Sequence, residues 1–135
     1  MKCLIVEDDC NLQMTLHELV EELGHDVTAA GTLAEGRKAL QKSKFDLLIL
    51  DYQLPDGTSD EFSSIAAVTQ PNCRIILLTG SSVFPAGENA HLAPGIDWIL
   101  RKPASLADLA ALIDYAALDA VSHPTSARAS SQAFY

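Results

Sequence analysis

Short apolar runs alternate along this chain with longer segments that have the period of an α-helix. The runs span residues 2–6, 45–50, 74–78 and 98–100, and the segments between them carry leucine and alanine at three- and four-residue spacing. Such alternation is typical of repeated strand–helix units that build a parallel sheet covered by helices. The pattern therefore predicts an α/β fold, and the almost continuous apolar character of residues 46–51 predicts a strand that is buried on both faces.

Five strands of this kind predict a flavodoxin-like, doubly wound parallel sheet with strand order 2-1-3-4-5 and helices on both faces. In that order the topological switch point lies between the first and third strands. The predicted strands span residues 2–7, 27–30, 46–51, 74–79 and 97–100.

Polar residues at capping positions predict where several helices begin. They are Asp9 before the first helix, Thr32 with Glu35 before the second, Thr58 with Glu61 before the third, and Ser105 before the last. Gly24 stands where the first helix is expected to end, a place that favours a residue of positive φ. Pro85, Gly87 and Pro94 interrupt residues 81–94, so at most one short helical stretch is expected there, at about 87–92.

Length, charge and cysteine spacing exclude several classes of protein. A chain of 135 residues fits one domain with a core of its own. Its net charge of −9, with nine basic residues that form no cluster, argues against binding to nucleic acid. The three cysteines have neither zinc-site nor disulfide-framework spacing. With no signal peptide and no apolar run long enough to span a bilayer, the expected location is cytoplasmic and away from membranes.

Five polar residues stand at or just after the carboxyl ends of four of these strands. They are Glu7, Asp8, Asp51, Thr79 and Lys102. In an open parallel sheet the carboxyl ends of the strands border one crevice, and ligands collect there. Carboxylates crowd together when a cation lies among them, and Mg²⁺ prefers oxygen ligands. We therefore predict a Mg²⁺ site at this edge, with Asp9 assigned to helix capping instead.

Four strings, each at the end of a strand, carry a resemblance to a known family. They are LIVEDD at 4–9, DYQLPDG at 51–57, LLTG at 77–80 and KP at 102–103. The chain resembles the receiver (CheY-like) domain of two-component response regulators over residues 1–121, and residues 122–135 are expected to form a disordered tail. The resemblance implies a single-domain response regulator that switches conformation in phosphorelay signalling. It also implies a switch that catalyses only its own phosphorylation and dephosphorylation.

Chemistry and resemblance together assign a role to each residue of the predicted site. Asp51 is the expected nucleophile, which becomes an aspartyl phosphate. Asp8 and Asp51 are expected to bind Mg²⁺, with the Gln53 main-chain carbonyl and with Glu7 as a weaker or water-mediated ligand. Lys102 supplies a point charge to the phosphoryl oxygens, and Thr79 supplies a hydroxyl.

The resemblance names the expected partners by class. The phosphoryl donor is a sensor histidine kinase or a histidine phosphotransfer protein, and the downstream protein is unidentified. Leu12, Thr15 and residues 103–105 flank the mouth of the predicted pocket, so they form the expected docking surface for the donor. Receiver domains usually have an aromatic residue three positions before the lysine. This chain has Ile99 there, with Trp98 one place earlier. The sequence therefore does not predict which surface contacts the downstream protein.

Two other functions remain as alternatives. A pseudo-receiver would use the same fold for protein contact without phosphorylation, although the acceptor and the acids are all present here. An aspartate-nucleophile phosphatase would need a second aspartate two residues after Asp51. That position is Gln53, which cannot give a proton to a leaving group.

Overall fold

The computed structural model describes residues 1–80 and 95–122, with side chains through residue 119. The predicted short helix at 87–92 and residues 123–135 of the tail predicted at 122–135 lie outside the described residues, whereas Ser122 is the last residue of the final helix. The strands are β1 Lys2–Val6, β2 Asp26–Ala30, β3 Leu47–Asp51, β4 Gln53–Leu54, β5 Gly57–Thr58, β6 Arg74–Thr79 and β7 Trp98–Arg101. The helices are α1 Cys10–Glu22, α2 Leu33–Lys42, α3 Asp60–Thr69 and α4 Leu106–Ser122. Within the described ranges, no helix has the length and apolar character needed to cross a bilayer.

The main sheet has five parallel strands in the order β2-β1-β3-β6-β7. When these five are counted alone along the chain, the order is 2-1-3-4-5, as the sequence predicts. The two-residue strands β4 and β5 form a separate antiparallel ribbon just after β3, which the sequence analysis did not predict. In the centre of the sheet, Leu48 of β3 pairs with Leu4 on one side and Ile75 on the other.

Two apolar cores lie on opposite faces of this sheet. Leu48 and Leu50 pack on one face with residues of α2 and α3, whereas Leu47 and Ile49 pack on the other with residues of α1 and α4. Successive side chains of a strand point to opposite faces, so the even-numbered and the odd-numbered residues of β3 must both be apolar. This double burial explains the continuous apolar run and confirms that helices cover both faces.

Three predicted helix caps are present. The Asp9 carboxylate accepts hydrogen bonds from the backbone N–H groups of Asn11 and Leu12, at 2.9 and 3.2 Å. Thr32 and Ser105 each accept one from the N–H three residues later, at 3.1 and 3.3 Å. Each bond satisfies a helix N–H that has no partner within the helix. Gly24 has a φ of 90° just past the end of α1, as predicted.

The predicted capping box of Thr58 with Glu61 is wrong. Thr58 belongs to β5 and pairs with Gln53, so α3 starts later, with Ser59 as an N-cap residue whose side chain makes no capping hydrogen bond. The Thr58 hydroxyl instead lies 3.3 Å from the Asp60 carboxylate, to which it can donate. The short ribbon holds this segment extended and so overrides the local capping signal.

The turn between β4 and β5 caps a different helix. The Asp56 carboxylate accepts hydrogen bonds from the N–H groups of Leu33 and Ala34, at 2.9 and 3.0 Å. These bonds lower the pKa of Asp56. The loop that follows β3 is thereby attached to the start of α2, more than twenty residues earlier in the chain.

Candidate functional site

The carboxyl ends of three strands of the main sheet, β1, β3 and β7, place the predicted charged residues close together. Glu7 directly follows β1, Asp51 is the last residue of β3, and Lys102 directly follows β7. The register pairs Val6 with Leu50, so β1 and β3 end level with one another. Sheet topology therefore brings together residues that are far apart in sequence.

A lysine lies between two carboxylates at this edge. The Lys102 Nζ atom is 2.8 Å from Glu7 Oε1 and 3.1 Å from Asp51 Oδ1. Its backbone N–H donates to the carbonyl oxygen of Thr79 at 2.8 Å, which ties the end of β7 to the end of β6. The Lys102–Pro103 peptide bond that follows is cis. Lys102 is thus held by its ammonium to the ends of β1 and β3 and by its backbone to the end of β6.

Three acidic side chains form a compact cluster around this lysine. One carboxylate oxygen each from Glu7, Asp8 and Asp51 lies within 4.8 Å of the other two. Glu7 and Asp51 are buried, whereas Asp8 is exposed. The Lys102 ammonium contacts two of these three carboxylates, and one cation among three acidic groups leaves an excess of negative charge. An all-oxygen donor set with this excess fits a hard divalent cation such as Mg²⁺.

Burial and pairing shift the ionisation of the two central groups. Burial raises the pKa of Glu7 to about 7, although hydrogen bonds from Lys102 and from the Asp9 N–H act against the rise. For Lys102, burial acts to lower the pKa, but the hydrogen bonds to Glu7 and Asp51 outweigh it and the net shift is upward. Lys102 is consequently a permanent cation at neutral pH.

The other two predicted residues lie at or just after the ends of β6 and β3. Thr79 ends β6 and is 1% exposed, and its hydroxyl donates to the carbonyl of Gly80 at 3.3 Å. Gln53 lies two residues after Asp51 in β4, with an exposed side chain. The structure thus brings Glu7, Asp8, Asp51 and Lys102 into one group, with Thr79 attached through the backbone of Lys102.

A glutamine that the sequence analysis missed also reaches this edge. The Gln13 side-chain nitrogen donates to the carbonyl oxygens of Glu7 and Ala30, at 2.8 and 3.2 Å. The sequence contained one indication that Gln13 makes a buried contact. Gln13 precedes Leu16 by three residues, so it lies on the apolar face of the first helix, where a polar side chain requires a partner.

An open cavity of about 500 Å³ adjoins the charged cluster. It lies between α1 and the segment that joins β7 to α4. Its walls are partly apolar, and Lys102 lies at its border. The lining residues are Asp9, Asn11, Leu12, Thr15, Leu78, Lys102, Pro103, Ala104 and Leu109.

Comparison with known protein families decides what kind of domain this is. Residues 3–114 match the model of the response regulator receiver domain. This chain belongs to that family. The receiver domain is 29% identical over 108 residues to the response regulator receiver protein CpdR of Brucella abortus, covering 80% of this chain and 89% of CpdR. Two further curated relatives are much longer, and the chain spans 22% of each.

Solved structures share the fold of this receiver domain. A CheY-like receiver domain protein from Methanospirillum hungatei superposes with a TM-score of 0.77 at 28% identity, covering 84% of this chain and 90% of that one. A response regulator from Burkholderia pseudomallei, solved with a phosphorylated aspartic acid, a calcium ion and citrate, gives a TM-score of 0.72 at 25% identity. The match covers 92% of this chain and 75% of the Burkholderia chain. Two-component signalling is therefore the setting in which this domain acts.

Proposed function

We propose that this receiver domain accepts a phosphoryl group on Asp51 from a sensor histidine kinase or a histidine phosphotransfer protein. The observation that carries the proposal is the contact of Asp51 with the Lys102 ammonium, at 3.1 Å, inside a cluster of acids. The Burkholderia relative was solved with its own phosphorylated aspartic acid and a calcium ion, which supports the same chemistry here.

The reaction requires a nucleophile and compensation of charge. An Asp51 carboxylate oxygen attacks the phosphorus of a phosphohistidine, so that an O–P bond forms while the P–N bond breaks. The electron pair of the broken bond stays on the departing imidazole nitrogen. Lys102, held beside Asp51, is placed to offset the negative charge of the phosphoryl oxygens. Attack of a water molecule on the phosphorus then breaks the O–P bond, releases inorganic phosphate and returns Asp51 to its free carboxylate.

The acid cluster is the proposed Mg²⁺ site. Asp8 and Asp51 are the proposed direct ligands, with Glu7 and the main-chain carbonyl of Gln53 as further candidates. When bound, Mg²⁺ neutralises charge on the phosphoryl oxygens as they approach the carboxylates. Glu7 has a second task, because its hydrogen bond of 2.8 Å holds the Lys102 ammonium in place.

The conformational response is proposed to start at Thr79. Its buried hydroxyl lies at the end of β6, next to the strand that ends in Asp51, so it can exchange its bond to Gly80 for one to a phosphoryl oxygen. Such an exchange selects between two states of the domain. Ile99 packs into the core between the sheet and α2–α3, and Trp98 packs on the opposite face. The usual aromatic position is therefore filled by an aliphatic core residue.

The donor is proposed to dock over the cavity beside Lys102. This opening borders the acceptor cluster and exposes apolar surface from Leu12 and Ala104. We expect Leu12→Ala to slow transfer from a phosphorylated histidine phosphotransfer domain that phosphorylates the wild type, while leaving phosphorylation by acetyl phosphate unchanged. Met14→Ala is the matched control, because Met14 lies on the same helix and is 62% exposed. Equal losses with both donors would contradict this docking surface.

Acetyl phosphate tests the central proposal without a protein donor. The wild-type chain, incubated with acetyl phosphate and Mg²⁺, should gain the mass of one phosphoryl group, and Asp51→Asn should gain none. Asp9→Asn is the control, because Asp9 caps α1 and asparagine caps equally well. No mass gain in the wild type would refute the proposal. Steady hydrolysis of p-nitrophenyl phosphate would favour the phosphatase alternative.

A further inference from the structure

A side chain outside the acid cluster holds the backbone that carries it. The half-buried Gln13 lies in the first part of α1, and its amide nitrogen donates to the carbonyl oxygens of Glu7 and Ala30, at 2.8 and 3.2 Å. These carbonyls belong to the carboxyl ends of neighbouring strands β1 and β2, since Glu7 N–H itself donates to Ala30 at 3.0 Å. One amide thus ties a helix to two strand ends.

The bond to Glu7 acts on the geometry of the cluster. The carbonyl of Glu7 lies in the planar peptide unit that joins Glu7 to Asp8. Fixing that plane restricts ψ of Glu7 and φ of Asp8. These two angles set the directions in which both carboxylates leave the backbone, so the anchor of the plane orients two members of the cluster together.

An anchor is needed because the cluster repels itself. Glu7, Asp8 and Asp51 place carboxylate oxygens within 4.8 Å of one another, and one lysine offsets only part of their charge. Like charges at such distances drive a free loop outward. The N–H of Glu7 is held by the Ala30 carbonyl, and the contact from Gln13 of α1 adds a restraint on the carbonyl that leads into Asp8.

We infer that Gln13 is a positioning residue that preorganises Glu7 and Asp8 to receive a divalent cation. The inference rests on the proposed function, since it concerns the same acid cluster. Residues that orient metal ligands typically change metal affinity by about ten- to a hundredfold when they are replaced. A loss of Mg²⁺ affinity of roughly tenfold is expected for Gln13→Met, which keeps the length of the side chain and removes both donors.

The test measures affinity and rate separately. Mg²⁺ is titrated into the ¹⁵N-labelled protein and followed by amide chemical shifts, and the rate of phosphorylation by acetyl phosphate is measured as a function of Mg²⁺. Gln13→Met should raise the half-saturating Mg²⁺ concentration in both measurements and leave the rate at saturating Mg²⁺ close to that of the wild type. Gln41→Met, at an exposed glutamine of α2, is the matched control and should change neither.

Gln13→Glu separates positioning from simple electrostatics. It adds a negative charge beside the cluster, so electrostatics alone would tighten Mg²⁺ binding, whereas the loss of the two donated bonds predicts weaker binding. Wild-type or tighter affinity in Gln13→Glu, or unchanged Mg²⁺ dependence in Gln13→Met, overturns the inference. If neither variant folds, the inference is also overturned, because Gln13 then serves the fold as a whole. A wild type that is never phosphorylated would instead overturn the proposed function.

Discussion

Two clusters of buried charge lie at opposite ends of the same sheet. At the amino end, Arg74 is 3% exposed, pairs with Asp119 of α4, and lies 3.7 Å from Asp97. Its guanidinium stacks over the ring of Trp98, with 5.8 Å to the centroid, and Trp98 meets Tyr115 edge to face. A planar guanidinium suits this enclosed position, because it forms several hydrogen bonds and stacks on an aromatic ring.

The cluster at the carboxyl end also combines one cation with carboxylates, but it has more carboxylates for its single cation. Lys102 contacts two carboxylates there, the Asp8 carboxylate lies beside those two, and the Lys102 side chain is 28% exposed. An ammonium is a point charge without the fork of an arginine, so it leaves carboxylate oxygens available to a further cation. Arg74 faces two carboxylates and is closed off by an aromatic ring. Burial of charge alone therefore does not indicate a functional site. An excess of negative charge that is not compensated and that solvent can reach does indicate one.

The largest effect on stability is expected from Arg74→Met. It leaves Asp97 and Asp119 close together without their cation, and breaking a buried ion pair on one side costs about 3–5 kcal/mol. Urea unfolding should show this loss. Arg37→Met, which removes a half-exposed arginine 3.5 Å from Glu61, should cost less than about 1 kcal/mol. Similar losses for the two variants would mean that the Arg74 cluster contributes no more than a surface pair.

Lys102→Gln should act mainly on chemistry. Removal of a group that stabilises charge in a transition state typically lowers the rate by about 10²–10³-fold, and time courses of intact mass with acetyl phosphate would measure this. Mg²⁺ should restore part of any stability that the variant loses, because a cation can enter the acid cluster. Mg²⁺ should stabilise Arg74→Met only as much as it stabilises the wild type, because the acid cluster of that variant is intact, so the deficit relative to the wild type should persist. A deficit of Arg74→Met that closes at saturating Mg²⁺ would erase the distinction between the two clusters.

Addition of Mg²⁺ to the wild type should stabilise it. A ligand that binds only the folded state, at a hundred times its dissociation constant, contributes about 2.7 kcal/mol. Thermal unfolding with and without Mg²⁺ should show the shift in the wild type and in Asp9→Asn, but not in Asp8→Asn. Asp8 and Asp9 are adjacent, and only Asp8 lies in the cluster. Comparison of the two variants therefore separates Mg²⁺ binding at the site from an effect of general surface charge.

The smallest effect concerns pH in the absence of Mg²⁺. Burial raises the pKa of Glu7 to about 7 from an ordinary value of 4.5, so the folded state binds a proton more tightly than the unfolded state. The resulting stability is present in full below pH 4.5 and is lost as pH rises through 7. Comparison of Glu7→Gln with the wild type between pH 5 and pH 8 should show a flatter stability profile in the variant. A steeper profile would contradict the raised pKa.

Much of the fold was predictable because its signals are local. The apolar runs define the strands, and Asp9, Thr32 and Ser105 cap helices as their spacing indicates. The convergence of charged residues at one edge also follows from strand order, since parallel strands end on the same side. For this reason Glu7, Asp8, Asp51 and Lys102 could be grouped before the structure was known.

Features that depend on distant contacts were not predictable. Thr58 has the local spacing of a helix cap but is held in a ribbon, and Asp56 caps a helix more than twenty residues earlier in the chain. Gln70 is buried because its amide bonds the carbonyls of Leu40 and Ser43 and accepts from Phe45 N–H. Each of these roles depends on a partner whose position only the folded chain defines.

The sequence by itself determined the strand–helix alternation, the strand order and the identity of the charged residues at the carboxyl edge. The alternation comes from hydrophobic periodicity, which acts over short stretches, and the strand order follows from the fold class that this alternation predicts. The tertiary structure alone decided that Lys102 lies between Glu7 and Asp51, that Gln13 anchors the acid loop, and that Arg74 is enclosed. Hydrogen bonds require atoms within about 3 Å of each other and ion pairs within about 4 Å, and packing of the whole domain sets such distances.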